Sequence, residues 1–245
     1  MNHRRFVVAS DSHGDQADPD TERALFSFIS DFKPQLRIHA GDAWDFRNLR
    51  RGASDDEKAH SLEDDWQAGS EFLRRFFDGG KENYFLRGNH DERLWSFADS
   101  ATGLLRDYAH DGIARVEKLV KKSRAKMLPY DSRLGVLKLG DVSVIHGYHA
   151  GVSAARNHAN VYGSCLFGHV HAQERTRVAS IERAESIAIG CICKTDMDYS
   201  SSHTGKLRWA NGWAFGWVLE NGRTVTNLAE KTENGFSCAT GIKFF

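Results

Sequence analysis

The chain has 245 residues, 40% of them hydrophobic and 27% charged, with 33 basic side chains balanced by 33 acidic ones. That length and composition suit one large globular domain with a substantial core, and a formal net charge of zero argues against a protein held to nucleic acid or membrane by bulk electrostatics. Met1 to Arg5 leads straight into an apolar run, no stretch approaches the length of a membrane span, and Cys165, Cys191, Cys193 and Cys238 lack paired metal-site spacing. A cytoplasmic protein with reduced thiols is therefore expected.

Taken in chain order, the first β-like run, FVVAS, ends at Asp11-Ser12-His13. Asp18-Pro19-Asp20 then opens an amphipathic segment carrying Leu25, Phe26, Phe28, Ile29 and Phe32, which predicts a helix stopped by Pro34. A second run, LRIHA, leads into Gly41-Asp42. Ser54-Asp55-Asp56-Glu57 has the form of a capping box, and the stretch that follows to Phe77 carries acids early and arginines late, as a helix dipole favours. The run NYFLR precedes Gly88-Asn89-His90-Asp91.

From Glu92 to about Lys126 the pattern predicts several short helices, broken near Thr102-Gly103 and Asp111-Gly112, as an insertion shaping substrate access. Leu134–Leu139 and Val142–Ile145, joined by Gly140-Asp141, predict a hairpin ending at His146-Gly147, and a short helix is expected over Val152–Val161. The run CLF precedes Gly168-His169-Val170-His171. Alternating runs follow at Glu174–Ile181 and Ser186–Ile189, then a polar loop from Lys194 to Asn211, then strands Trp213–Leu219 and Thr224–Leu228 turning through Asn221-Gly222. These parts suggest an α/β protein: a single domain over 1–245, a two-sheet sandwich with helices outside, a helical insertion around 92–126 and a C-terminal hairpin around 213–228.

Five polar clusters each stand at the C-terminal end of a β-like run, and together they describe one edge of a sheet, where open α/β sheets place their sites. Their mixture of oxygen and imidazole donors suits a pair of divalent metals that activate water against a phosphate ester. Singly, each has a plain structural reading: Asp11 as a helix N-cap, Asp42 as a turn former, Asn89 as a left-handed turn residue, His146 as a core histidine. Five such features in order outweigh those readings. His3, His39, His60, His110, His158 and His203 belong to no motif and are expected at the surface or in the core, and Cys191 and Cys193 read as a partly buried strand end.

The ordered pattern D-x-H, GD, GNH[DE], H and GHxH, spanning residues 11 to 171, resembles the calcineurin-like metallophosphoesterase superfamily. The resemblance implies a four-layer αββα sandwich. It also implies two divalent ions, manganese favoured and iron, zinc, nickel or cobalt compatible, bridged by Asp42, with Asp11, His13 and His171 completing one and Asn89, His146 and His169 the other. In the superfamily the position of His90 does not ligate metal but faces the leaving-group oxygen. Gly41-Asp42-Ala43-Trp44-Asp45 is similar to the GDxxD stretch of phosphoprotein phosphatases, which makes Asp45 the residue that orients His90; a solvent-facing loop acid is the equal alternative. Those phosphatases carry Arg directly after GDxxD, whereas Phe46 stands here and Arg47 follows.

Arg47, Arg87 and His149 are the candidate substrate contacts. The implied reaction is direct attack of a metal-bridging hydroxide on a phosphodiester, with nucleic acid or nucleotides the favoured class. A phosphomonoesterase and a non-catalytic scaffold on the same fold are the alternatives. Lys194, Tyr199, Lys206, Arg208 and Trp209 interleave basic and aromatic groups as a strand-binding loop would, though such loops are usually solvated, and the Lys118–Lys126 run reads as the wet face of a helix. No membrane partner is expected, and the sequence leaves the oligomeric state open.

Overall fold

The computed structural model describes residues 3–196 and 207–238. From β1 (Arg4–Ala9) the chain passes through α1 (Pro19–Phe32) to β2 (Leu36–His39), and through α2 (Asp55–Ala59) and α3 (Leu62–Phe77) to β3 (Glu82–Leu86). It continues through α4 (Glu92–Ser100) and α5 (Gly103–Lys122) to β4 (Ala125–Leu128). These four strands are parallel neighbours in that order. A second sheet follows from β5 (Leu137–Leu139), β6 (Val142–Ile145), β7 (Cys165–Phe167), β8 (Gln173–Arg177) and β9 (Glu185–Ile189), in spatial order β5-β6-β7-β9-β8, with α6 (Ala154–Tyr162) between β6 and β7. The chain returns as β10 (Gly212–Val218), β11 (Thr224–Thr232) and β12 (Gly235–Cys238), which extend the first sheet antiparallel from the free side of β1.

Strand alternation sorts the core into layers. Phe6 and Val8 of β1 face the second sheet, joining Ile38, Leu86, Val144, Leu166 and Ile187 between the sheets, while Val7 and Ala9 face Phe28, Phe72, Phe76 and Val116 of the outer helices. The smaller α6 covers the far side of the second sheet with Ala154 and Ala155 against Ile145 and Phe167. The architecture is thus helix, sheet, sheet, helix, as expected. Helix α1 begins where the Asp18 side chain accepts from Thr21 N at 2.8 Å with Pro19 at its first position, and ends at Lys33 in the left-handed region.

Several expectations shift. The stretch from Asp55 to Phe77 is two helices, because Ser61 caps a new start, its hydroxyl accepting from Asp64 N at 3.1 Å. The break near Asp111-Gly112 does not occur: α5 is continuous, and Gly112 serves packing, since a Cβ there would stand 3.2 Å from a methyl of Leu94 in α4. Residues 125–128 are not helical but form β4, an edge strand paired with β3, entered through Arg124 in the left-handed region. The C-terminal hairpin also extends beyond its expected end, β11 running to Thr232 and gaining β12 as a partner.

Candidate metal centre

Each motif leaves the C-terminal end of a strand: Asp11 and His13 after β1, Asp42 after β2, Asn89 and His90 after β3, His146 after β6, His169 and His171 after β7. Five of these residues, Asp11, His13, Asp42, His169 and His171, have positive φ between 49° and 67°. A residue with a Cβ pays roughly 1–2 kcal/mol for that conformation, and such strain persists where function and surroundings demand it. Gly88 and Gly168 answer a different need, close approach. A Cβ on Gly88 would meet Asp42 Oδ1 at 2.1 Å, and one on Gly168 would meet Asp11 Oδ2 at 2.4 Å.

The seven donors converge in two groups around Asp42. On one side, His171 Nε2 stands 3.1 Å from His13 Nε2 and 3.3 Å from Asp11 Oδ1. On the other, Asn89 Oδ1 stands 2.9 Å from His146 Nε2 and 2.8 Å from His169 Nδ1. Between them, Asp42 Oδ2 lies 3.8 Å from His13 Nε2 and 3.4 Å from His146 Nε2. Asp11, His13, Asp42 and His146 are almost wholly buried.

These contacts fit a cation. His146 donates Nδ1–H to the Ala40 carbonyl at 2.8 Å, and His13 directs Nδ1 at Asp45 Oδ1, 3.3 Å away. In the neutral rings each Nε2 is then a lone pair facing other acceptors, and only a proton or a metal reconciles them. Two nitrogens about 2.1 Å from one cation, at an angle near 90°, stand roughly 3 Å apart, close to the separation of His13 and His171. Burial disfavours charge on both partners, but Asp42 beside His146 and Asp11 beside His171 lift these rings to about 9. Despite burial, His171 and His146 in turn bring Asp11 and Asp42 below the ordinary carboxylate range. Protons thus occupy positions that a metal would take. Burial, helped by the charge of His146, lowers His169 to about 4 and keeps it a neutral donor.

Behind the donors stands a frame of buried acids. Asp45, 1% exposed, accepts from His90 Nδ1 at 2.6 Å and lies 3.4 Å from Arg47 Nε, so it is no solvent-facing loop acid. Although burial alone would raise it, the hydrogen bonds from His13 and His90 hold its carboxyl well below the usual range. Two residues absent from the sequence-based site hold its loop. Asp65 of α3 accepts from Asp45 N at 3.0 Å and Phe46 N at 2.7 Å. Asp91 accepts from the backbone N–H of Asp42 and Gly88 at 2.8 Å, Ala43 at 3.0 Å and Trp44 at 3.2 Å, tying the second motif to the third. Its place as the last residue of Gly88-Asn89-His90-Asp91 was the available signal. Cys193, buried, sets Sγ 3.8 Å from His171 Nδ1 and backs that ring.

The candidate substrate contacts diverge. Arg47 lines a cleft of about 190 Å³ together with Asp45, Arg50, Glu57, His90 and Arg93. Arg87 instead lies over the Trp95 ring, 4.1 Å from its centroid, with Glu92 3.3 Å away, and so packs under α4. His149 sets its ring against His158, centroids 5.0 Å apart, rather than against the donor cluster. His39 packs among Phe72, Phe76 and Phe85, whereas His3, His60 and His110 are exposed. In the loop after the last donors, Trp209 lies edge-on to His171 at 4.3 Å and Arg208 pairs with Glu174; Tyr199, His203 and Lys206 lie outside the described residues. Among the described residues no helix is long and apolar enough to cross a membrane.

No family model matches the sequence. It is 27% identical over 191 residues to the Gene 54 protein of Mycobacterium phage D29, covering 69% of this chain and 70% of that one. Among solved structures, Vps29 of Chaetomium thermophilum superposes with a TM-score of 0.52 at 12% identity, over 96% of this chain and 93% of the other. Vps29 of Entamoeba histolytica complexed with Zn²⁺ gives 0.50 at 11% identity, over 96% of each chain. Two sheets enclosed by helices in this topology give the chain the fold of these structures, the sandwich expected from its resemblance to the calcineurin-like metallophosphoesterases.

Proposed function

We propose that this chain is a metal-dependent phosphoesterase acting on a phosphodiester, with nucleic acid or nucleotides the favoured substrate class. The observation that carries the reading is the convergence of Asp11, His13, Asp42, Asn89, His146, His169 and His171 from five strand ends, with His90 held beside them by Asp45. Asp42 is the donor placed to serve both groups, and all seven donors are oxygen or imidazole nitrogen, a set compatible with manganese, iron, zinc, nickel or cobalt. Bound divalent ions supply acidified water and positive charge against the phosphate oxygens.

The chain's own residues do the rest. His90 donates its backbone N–H to Asp42 Oδ1 at 2.8 Å and directs Nδ1 at Asp45, so that Nε2, with the Arg93 guanidinium 3.2 Å away, is the ring atom turned to the ester oxygen that departs. Clefts open on two sides of the donors, one beside His90 and another, lined by Val152, Val170, Arg208 and Trp209, beside His169. Two flanking openings suit a phosphate with two ester arms, which favours a diester over a monoester. A panel of bis-nitrophenyl phosphate, nitrophenyl phosphate and single-stranded DNA with Mn²⁺ tests this. Hydrolysis of the diesters ahead of the monoester is expected. Preference for the monoester would overturn the substrate class, and inertness of metal-loaded protein would favour a scaffold.

A further inference from the structure

Arg93, the second residue of α4, has no counterpart among the motif residues, yet it stands at the leaving side of the centre. Its Nη1 donates to the Asp45 carbonyl at 2.8 Å, and its Nη2 lies 3.2 Å from His90 Nε2. Since Asp45 takes the Nδ1–H of His90, the guanidinium addresses the one ring atom of His90 that faces the cleft. The other two arginines of that cleft are already committed: Arg47 to Asp15 and Asp45, Arg50 to both oxygens of Glu57. Asp45, the nearest carboxylate to Arg93, is shared with His13, His90 and Arg47, and lies 3.6 Å from Nη1. A guanidinium has five donors in a planar fork that matches phosphate oxygens. Arg93 uses one of them on a carbonyl and brings a second to His90 Nε2, and its side chain lines the cleft.

Resting on the phosphodiester reading, we infer that Arg93 is a substrate contact on the departing side. The cleft of Arg47, Arg50 and Arg93 receives a leaving arm that carries a second phosphate, as the next nucleotide of a strand does. In the hydrolysis it serves, a P–O bond forms to the oxygen of water as the bond to the departing ester oxygen breaks. The departing oxygen keeps the electron pair and gains a proton, so water divides between the two products. Arg93 contributes at that oxygen and at the phosphate beyond it, where its positive charge meets developing and fixed negative charge.

The dinucleotide TpT, compared with pTpT and TpTp, tests this, because the products identify which sugar departs. For the wild type with Mn²⁺, a terminal phosphate on the departing nucleotide should raise kcat/KM about tenfold or more, and one on the retained nucleotide should not. Arg93→Ala should abolish that increment while costing less on TpT and leaving manganese uptake unchanged, and Arg93→Lys should restore part of it. Equal activity of the wild type on all three substrates would overturn the proposal, as would an equal loss on all three in Arg93→Ala, the signature of a residue that only holds the Asp45 loop. Hydrolysis of none of the three by metal-loaded wild type would instead sink the phosphodiester reading, and this proposal with it.

Discussion

His90 and Asp91 are neighbours with separate tasks, and variants should separate them. His90 faces the cleft and has its Nδ1 on Asp45; a ring nitrogen comes within 4.8 Å of the donor atoms of His13 and Asp42, but the resemblance sets His90 outside the ligand set, so His90→Ala should bind manganese like the wild type. It should lose the most turnover on alkyl esters, whose leaving oxygens need help, and less on nitrophenyl esters, by roughly 10²–10⁴-fold at most. Equal losses on both ester types would remove it from the leaving side. Asp91, wholly buried, works through backbone. Burial and the charge of Asp42 push its carboxyl up to about 8, against four N–H donors that favour its ionised form. Asp91→Ala strands those donors, each at about 1–3 kcal/mol, so chemical denaturation should show a loss of about 3 kcal/mol or more, with weaker manganese uptake. Unchanged uptake would mean that the Asp42 loop keeps its shape unaided.

The donors were legible in the sequence because each belongs to a short motif at a strand end, and local sequence places both strand and turn. Residues whose partners arrive from distant elements were not. Nothing near Asp65 shows that it will hold the Asp45 loop, twenty residues earlier, and Arg87 read as a substrate contact because its engagement depends on Trp95 of α4, whose ring the guanidinium covers. The edge strands β4 and β12, four residues each, are too short to carry a period of two and form through pairing with longer neighbours. The interface between β2 and α3 yields a pH prediction. His39 is buried there among phenylalanines, and burial brings its ring from 6.5 down to about 3. The unfolded chain takes up a proton near 6.5 and the folded ring does not, so stability is intact above that pH and falls below it, by roughly 1.4 kcal/mol per pH unit, until the folded ring titrates. His39→Phe loses the contact to Ser12 Oγ at 3.3 Å but should flatten the acid limb of the stability curve. Parallel wild-type and variant curves between pH 6.5 and 4 would show that His39 is not its source.

Across the fold, polarity is arranged end to end. Two cavities larger than the clefts beside the donors lie at the opposite edge, where Lys33, Arg37, Arg75, Lys81, Lys122 and Arg124 gather around the N-terminal ends of β2, β3 and β4. The outer helices α1, α3 and α5 end at that edge, and basic groups there complement their carbonyl termini; Arg37 donates to the Phe76 carbonyl of α3 at 2.9 Å. Those cavities therefore answer to helix ends. The proposed chemistry belongs to the other edge, where strand ends supply strained turns and converging donors. Calorimetric titration of chelator-stripped protein with manganese tests that claim most directly. Uptake of two ions per chain is expected for the wild type, with both lost or severely weakened in Asp42→Ala while the fold, followed by circular dichroism, is retained. No uptake by the wild type, or the same uptake in Asp42→Ala, would contradict a centre built around Asp42.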